Sequence, residues 1–299
     1  MSQDAAGTRM TVPTAGGREL EVLAVGPEAG LPLVFHNGTP GGLVAFGPMT
    51  AAAAERGLRT VMYARPGYGA STPQPGRRVA DAAADVAAVL DALGAEQFVS
   101  AGWSGGGPHA LASAALLPQR CRGAASIAGV APYDAAGLDW LAGMAGENVE
   151  EFGAATAGEA ELTAYLTAGA AELRDVTGEQ VTASLGDLAS AADQRVLTGE
   201  FASYMAAAFR AATAAGIAGW RDDDLAFVAD WGFALGTGAP VTVWQGDQDM
   251  MVPFGHGKWL AANLPGARAH LVPGAGHLSL AVGQFGEILD DLLSVAGLR

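Results

Sequence analysis

Ser104 is the side chain in this sequence best placed to act as a nucleophile. It sits in Gly102-Trp103-Ser104-Gly105-Gly106, a G-x-S-x-G pattern. The apolar residues 97–100 before it read as a buried strand, and residues 110–116 after it read as a helix. A strand that turns at once into a helix strains the backbone of its apex residue. Glycines two positions either side are needed because a Cβ there would meet the neighbouring strand or helix. The turn lifts the hydroxyl off the sheet and aims the first free helical N–H groups at a ligand. Taken alone, the pentapeptide also fits a Gly-rich turn that serves packing only.

Serine at its ordinary pKa is a poor nucleophile, so acyl transfer needs a base within hydrogen-bond reach and an acid that orients the base. The histidines are His36, His109, His256, His270 and His277. His270 falls inside a strand pattern, as a core or edge residue. His256 starts a helix, and His109 lies on the helix after Ser104, which carries it away. His277 follows Pro273-Gly274-Ala275-Gly276, a flexible loop after the last strand, and is the best base. Asp249, in the loop after the preceding strand (G-x-x-D-x-x-V-P, Gly246 to Pro253), is the best orienting acid. Asp247 is the near rival and Asp134 a remoter one.

The elements that must hold these residues alternate. Strand patterns at residues 21–25, 33–35, 58–63, 97–100, 123–130, 240–246 and 269–272 are interleaved with helical spacing near 49–56, 79–93, 110–116, 258–263 and 281–295. Such βαβ units build a mostly parallel sheet flanked by helices, with ligands bound beyond the carboxyl ends of the strands. The loops at 36–42, 65–71, 102–106, 247–253 and 273–278 all leave such ends. Residues 133–213 break the rhythm: strand-free and Ala-rich, they read as an α-helical lid inserted into a core of residues 1–132 and 214–299. Trp103, Trp140, Tyr165, Phe201, Tyr204 and Met250 are the candidates to line a substrate pocket. The run Asp222-Asp223-Asp224 reads as capping and solvation at a helix start.

The chain has 299 residues, half of them hydrophobic, enough for a large core. Its 31 Asp and Glu against 16 Lys and Arg give a net charge of -15, which disfavours nucleic acid and anionic membranes. A single cysteine, Cys121, excludes an intrachain disulfide and any multi-cysteine metal site. The first residues carry no basic-then-apolar signal pattern, so a soluble, cytoplasmic protein is expected.

Over nearly its whole length the sequence resembles the α/β-hydrolase superfamily. Gly102–Gly106 resembles its nucleophile elbow, Asp249 its acid and Gly276-His277 its base, in the chain order Ser, Asp, His. His36-Asn37-Gly38-Thr39-Pro40 resembles its oxyanion loop, with Asn37 standing where the family has His. The resemblance implies that the backbone N–H groups of Thr39 and Gly105 are the oxyanion donors, each stabilising the transition state by about 3 kcal/mol. It also covers Arg65-Pro66-Gly67-Tyr68-Gly69-Ala70-Ser71, a structural loop expected to carry no chemistry. The implied activity is a cofactor-free, metal-free serine hydrolase acting on a small-molecule ester or thioester. A proline-iminopeptidase-like aminopeptidase or amidase and a non-catalytic small-molecule receptor are the alternatives. Carbon–carbon hydrolysis and perhydrolysis use the same residues.

Overall fold

The computed structural model describes residues 7–185, 189–236 and 238–299. It opens with β1 (Thr8–Pro13) and β2 (Glu19–Val25), an antiparallel pair. β1 has no counterpart in the sequence pattern, because only Val12 of it is buried. β3 (Leu31–His36), β4 (Leu58–Tyr63), β5 (Phe98–Trp103), β6 (Cys121–Ile127), β7 (Val241–Gly246) and β8 (Arg268–Val272) complete one sheet. The strand order is β1-β2-β4-β3-β5-β6-β7-β8. From β4 through β8 every neighbouring pair is parallel, so the carboxyl ends of six strands share one edge.

Helices α1 (Gly47–Ala54), α2 (Ala82–Ala92) and α3 (Gly107–Leu116) follow β3, β4 and β5. Between β6 and β7 the described residues contain only helices and turns: α4 (Gly146–Ala157), α5 (Glu159–Leu173), α6 (Gly178–Ser184), α7 (Ala191–Val196), α8 (Gly199–Thr213) and α9 (Ala218–Val228). The chain ends with α10 (Phe254–Asn263), α11 (His277–Gly283) and α12 (Phe285–Val295). The single last helix expected from the sequence is therefore two, broken at Gln284. The strand expected to stop at residue 100 runs on to Trp103, and the one expected to reach 130 ends at Ile127, beside Ala128 at φ 49°.

Side chains alternate across the sheet as the pleat requires. Leu33 and Phe35 join a core cluster with Ile288, Leu289, Leu292 and Leu293 of α12, while Val34 joins another with Val86, Val89 and Leu90 of α2. Each such fully buried aliphatic side chain contributes about 1.5–3 kcal/mol over leaving it in water. β5 is buried at all six positions, as a strand covered on both faces must be. The Ser104 loop thus leaves a strand buried along its whole length.

Candidate active site

The turn from β5 into α3 forces Ser104 to φ 56°, a left-handed conformation that a non-glycine residue adopts only under constraint. The flanking glycines have a steric cause. A Cβ on Gly102 would lie 2.0 Å from the Gly106 carbonyl oxygen, and one on Gly106 would lie 2.0 Å from that of His36.

His277 opens α11, just past β8, and its Nδ1 lies 2.8 Å from Asp249 Oδ2. A carboxylate can only accept, so Nδ1 carries the proton and donates it. Nε2 of the neutral ring is then left with its lone pair free. Asp249 is itself pinned. Its Oδ1 accepts the N–H groups of Met251 (2.9 Å) and Val252 (2.8 Å), and Gln245 Nε2 donates to Oδ2 at 2.9 Å. Burial pushes the His277 imidazole towards neutrality, but the Asp249 carboxylate outweighs it and holds its pKa above the ordinary histidine value. The Trp103 indole N–H donates to the His277 carbonyl at 3.2 Å. Asp247 lies apart from this pair: its Oδ1 accepts from the Gly274 N–H at 2.7 Å. Asp134 is exposed beyond β6.

Ser104 and His277 line one cavity of about 90 Å³. Its walls are the loop Asn37–Gly42, Trp103, Leu185, Met251, Leu278 and, from α8, Tyr204, Met205, Ala208 and Phe209. Of the expected pocket residues, the structure brings Trp103 and Tyr204 to this lining and leaves the other four out. Trp140 packs between Phe152 and His256 in a separate core cluster. Phe201 stands behind the wall against Phe46 and Tyr204. Tyr165 hydrogen-bonds the Glu147 carbonyl at 3.2 Å. Met250 is 39% exposed, and its neighbour Met251 lines the cavity instead. Residue spacing could not separate Phe201 from Tyr204, because α8 decides its inward face only by packing.

The loop after β3 puts Thr39 against the elbow: a Cβ on Gly105 would lie 2.5 Å from Thr39 Oγ1. What holds this loop is Arg65, from the segment expected to carry no chemistry. Its guanidinium donates to the carbonyls of Asn37 (2.7 Å) and Gly38 (3.0 Å) and to Thr39 Oγ1 (2.9 Å). Arg65 is in turn clamped by Asp223, which also accepts from Arg77 (2.6 Å), Tyr68 Oη (2.9 Å) and Thr39 Oγ1 (2.9 Å). Burial opposes ionisation of Asp223, yet Arg65 and Arg77 hold its carboxyl well below the usual range.

The expectation of a capping, solvated acidic run is therefore corrected. Asp222, Asp223 and Asp224 lie past the first turn of α9 and are 3%, 0% and 1% exposed. Two buried guanidiniums 146 and 158 residues away, not the helix terminus, dictate the carboxylate at 223. His109 lies outside the cavity lining, behind the elbow. It is buried with Nδ1 2.9 Å from the Gly105 carbonyl, and stacks on His36 at 6.0 Å. Burial and Arg65 push its pKa down to about 3, so it is neutral. His256 accepts the Ala131 N–H at Nδ1, and His270 stacks on Trp244 at 3.8 Å.

The family of alpha/beta hydrolase fold proteins matches residues 32–284, which takes in every loop described above. The chain belongs to that family. The chain is 35% identical over 124 residues to a non-heme chloroperoxidase from Streptomyces lividans; the match spans 41% of this chain and 45% of that relative, under half its length. Among solved structures it resembles a bromoperoxidase from Bacillus anthracis, with TM-score 0.68 and 22% identity over 96% of this chain and 100% of that one. It also resembles a putative aryl esterase from Burkholderia cenocepacia (TM-score 0.67, 20% identity, 98% and 100% covered) and a carboxylesterase from Bacillus subtilis (0.64, 20%, 97% and 91%). Among the described residues no helix is long and apolar enough to cross a membrane.

Proposed function

We propose that this family member is a serine hydrolase that cleaves a carboxylic ester or thioester with a small, largely apolar acyl part. The observation that carries the reading is the pairing of His277 Nδ1 with Asp249, with His277 and the strained Ser104 on the same cavity. His277 Nε2 takes the Ser104 proton as Oγ attacks the carbonyl carbon. The N–H groups of Thr39 and Gly105 receive the oxyanion. His277 then protonates the leaving alkoxide or thiolate, and a water deprotonated by the same nitrogen releases the acid and restores Ser104.

The walls support this substrate class. Leu185, Met205, Ala208, Phe209, Met251 and Leu278 offer apolar surface and no charge. An aminopeptidase would instead need lid carboxylates to hold an ammonium. Glu147, Glu150, Glu151, Glu159 and Glu161 are all outside the lining, and Glu151 is engaged by the Trp220 indole N–H at 2.7 Å. The likeness to a non-heme chloroperoxidase favours one second reading: hydrogen peroxide in place of water takes the acyl group, giving a peroxyacid and free Ser104.

Turnover of p-nitrophenyl acetate tests the proposal. Wild type is expected to hydrolyse it and Ser104→Ala to lose at least about 10³-fold in kcat. A wild-type protein that neither turns over such esters nor takes a fluorophosphonate on Ser104 would leave the fold without this reaction.

A further inference from the structure

His277 is held from two sides, and only one of them is its orienting acid. α11 starts at His277, so the N–H groups of its first turn have no partner within the helix. The residue at the capping position is Gly276, which has no side chain to offer. The cap comes from the lid. Asp193, on α7, accepts the N–H of His277 at Oδ2 (2.9 Å) and those of Leu278 (2.9 Å) and Ser279 (2.7 Å) at Oδ1. Asp193 is 1% exposed, and its charge rests on the positive end of the helix that carries the imidazole.

Two further contacts fix this arrangement. Ser190 Oγ accepts the Asp193 N–H at 3.2 Å and so holds the start of α7 in place. A Cβ on Gly276 would lie 2.2 Å from Asp193 Oδ2 and 2.3 Å from Ser190 Oγ. A serine or aspartate at 276, the ordinary way to cap a helix, has no room there. The glycine of the Gly276-His277 pair makes space for a carboxylate that arrives 84 residues earlier in the chain.

We propose that Asp193 is a positioning residue for the base: docking of α7 onto the first turn of α11 sets the imidazole of His277 between Asp249 and Ser104. The proposal rests on the reading of His277 as the base given above. Asp193 acts through the main chain rather than on substrate, so it governs kcat and not the affinity for an ester. The carboxylates acting on the His277 ring are Asp249 and Asp193, and both raise its pKa against the lowering effect of burial.

The test compares Asp193→Ala and the near-isosteric Asp193→Asn with wild type, in the full chain. One readout needs no turnover: the pH titration of the His277 imidazole by NMR. The other is the pH profile of kcat and kcat/KM for p-nitrophenyl acetate. Asp193→Ala is expected to lower kcat ten- to a hundredfold with KM within about threefold, since small displacements of a reacting group cost that much. Asp193→Asn recovers part of the loss, because its amide oxygen still accepts. In both variants the His277 titration and the acid limb of kcat/KM move to lower pH. Wild-type kcat in both variants, or a loss of activity with the His277 titration unmoved, overturns the proposal. An inert wild-type protein would sink the hydrolase reading alone, and the titration would still decide whether Asp193 acts on His277.

Discussion

Asp223 and Asp224 are neighbours on one helix, both buried, and they meet opposite fates. Asp223 lies among two guanidiniums and two hydroxyls and stays ionised. Asp224 has no such partners. Burial, and after it the adjoining Glu151 carboxyl, push its pKa well up, which favours the protonated form. The difference teaches where a buried carboxylate's charge is decided. It is set by the elements packed against α9, here the loop after β4 on one side and α4 on the other, and not by the helix on which the residues sit.

The sharpest way to break this contrast is Asp223→Ala. It strands Arg65 and Arg77 as unpaired buried cations, and removing one partner of a buried pair costs about 3–5 kcal/mol. Urea unfolding should show that loss. Ester turnover should fall with it, because Arg65 loses the clamp that holds it on the Asn37 and Gly38 carbonyls. A stability within about 1 kcal/mol of wild type would mean that the network is solvated.

Titration separates the two aspartates next. The depressed Asp223 pKa contributes stability above the ordinary carboxylate value near 4, lost as pH falls through its lower folded value. His36 and His109 act in the same direction: both are held neutral by burial, while the unfolded chain protonates them below about pH 6.5. Asp224 works oppositely. Its folded pKa is raised, so its contribution is full below about pH 4 and fades as pH rises towards the folded value. Urea midpoints between pH 4 and pH 9 should therefore fall on both sides of a maximum. The smallest effect belongs to Asp224→Asn, whose amide is near-isosteric with the carboxyl and uncharged like its protonated form. It should cost no more than about 1 kcal/mol at pH 7 and flatten the alkaline decline. A loss as large as that of Asp223→Ala would show that Asp224 is ionised after all.

The sequence made legible what local geometry demands. The strand alternation, the apex at Ser104 and the Gly-rich loop before His277 each need particular residues within a few positions of one another. Asp249 was legible as the acidic residue of a loop leaving the adjoining strand end. Arg65, Asp223 and Asp193 were not. Arg65 and Asp223 pair across 158 residues and Asp193 meets His277 across 84, while the first two had a sufficient local explanation as a structural turn and an acidic helix start. Pocket residues were harder still, since Trp140 and Phe201 satisfy the same apolar pattern as Tyr204; Phe201 and Tyr204 even share α8, and only packing decides which of them reaches the cavity.

One contact limits how this chain could change its substrate. The Gly42 N–H donates to the Ala208 carbonyl at 3.1 Å, and a Cβ on Gly42 would lie 2.5 Å from that of Ala211. α8 is therefore tied to the Asn37–Gly42 loop and cannot be shifted outward without distorting that loop. A larger cavity has to be carved from the side chains of α8 itself, by trimming Met205 or Phe209, and a smaller one built by enlarging Ala208.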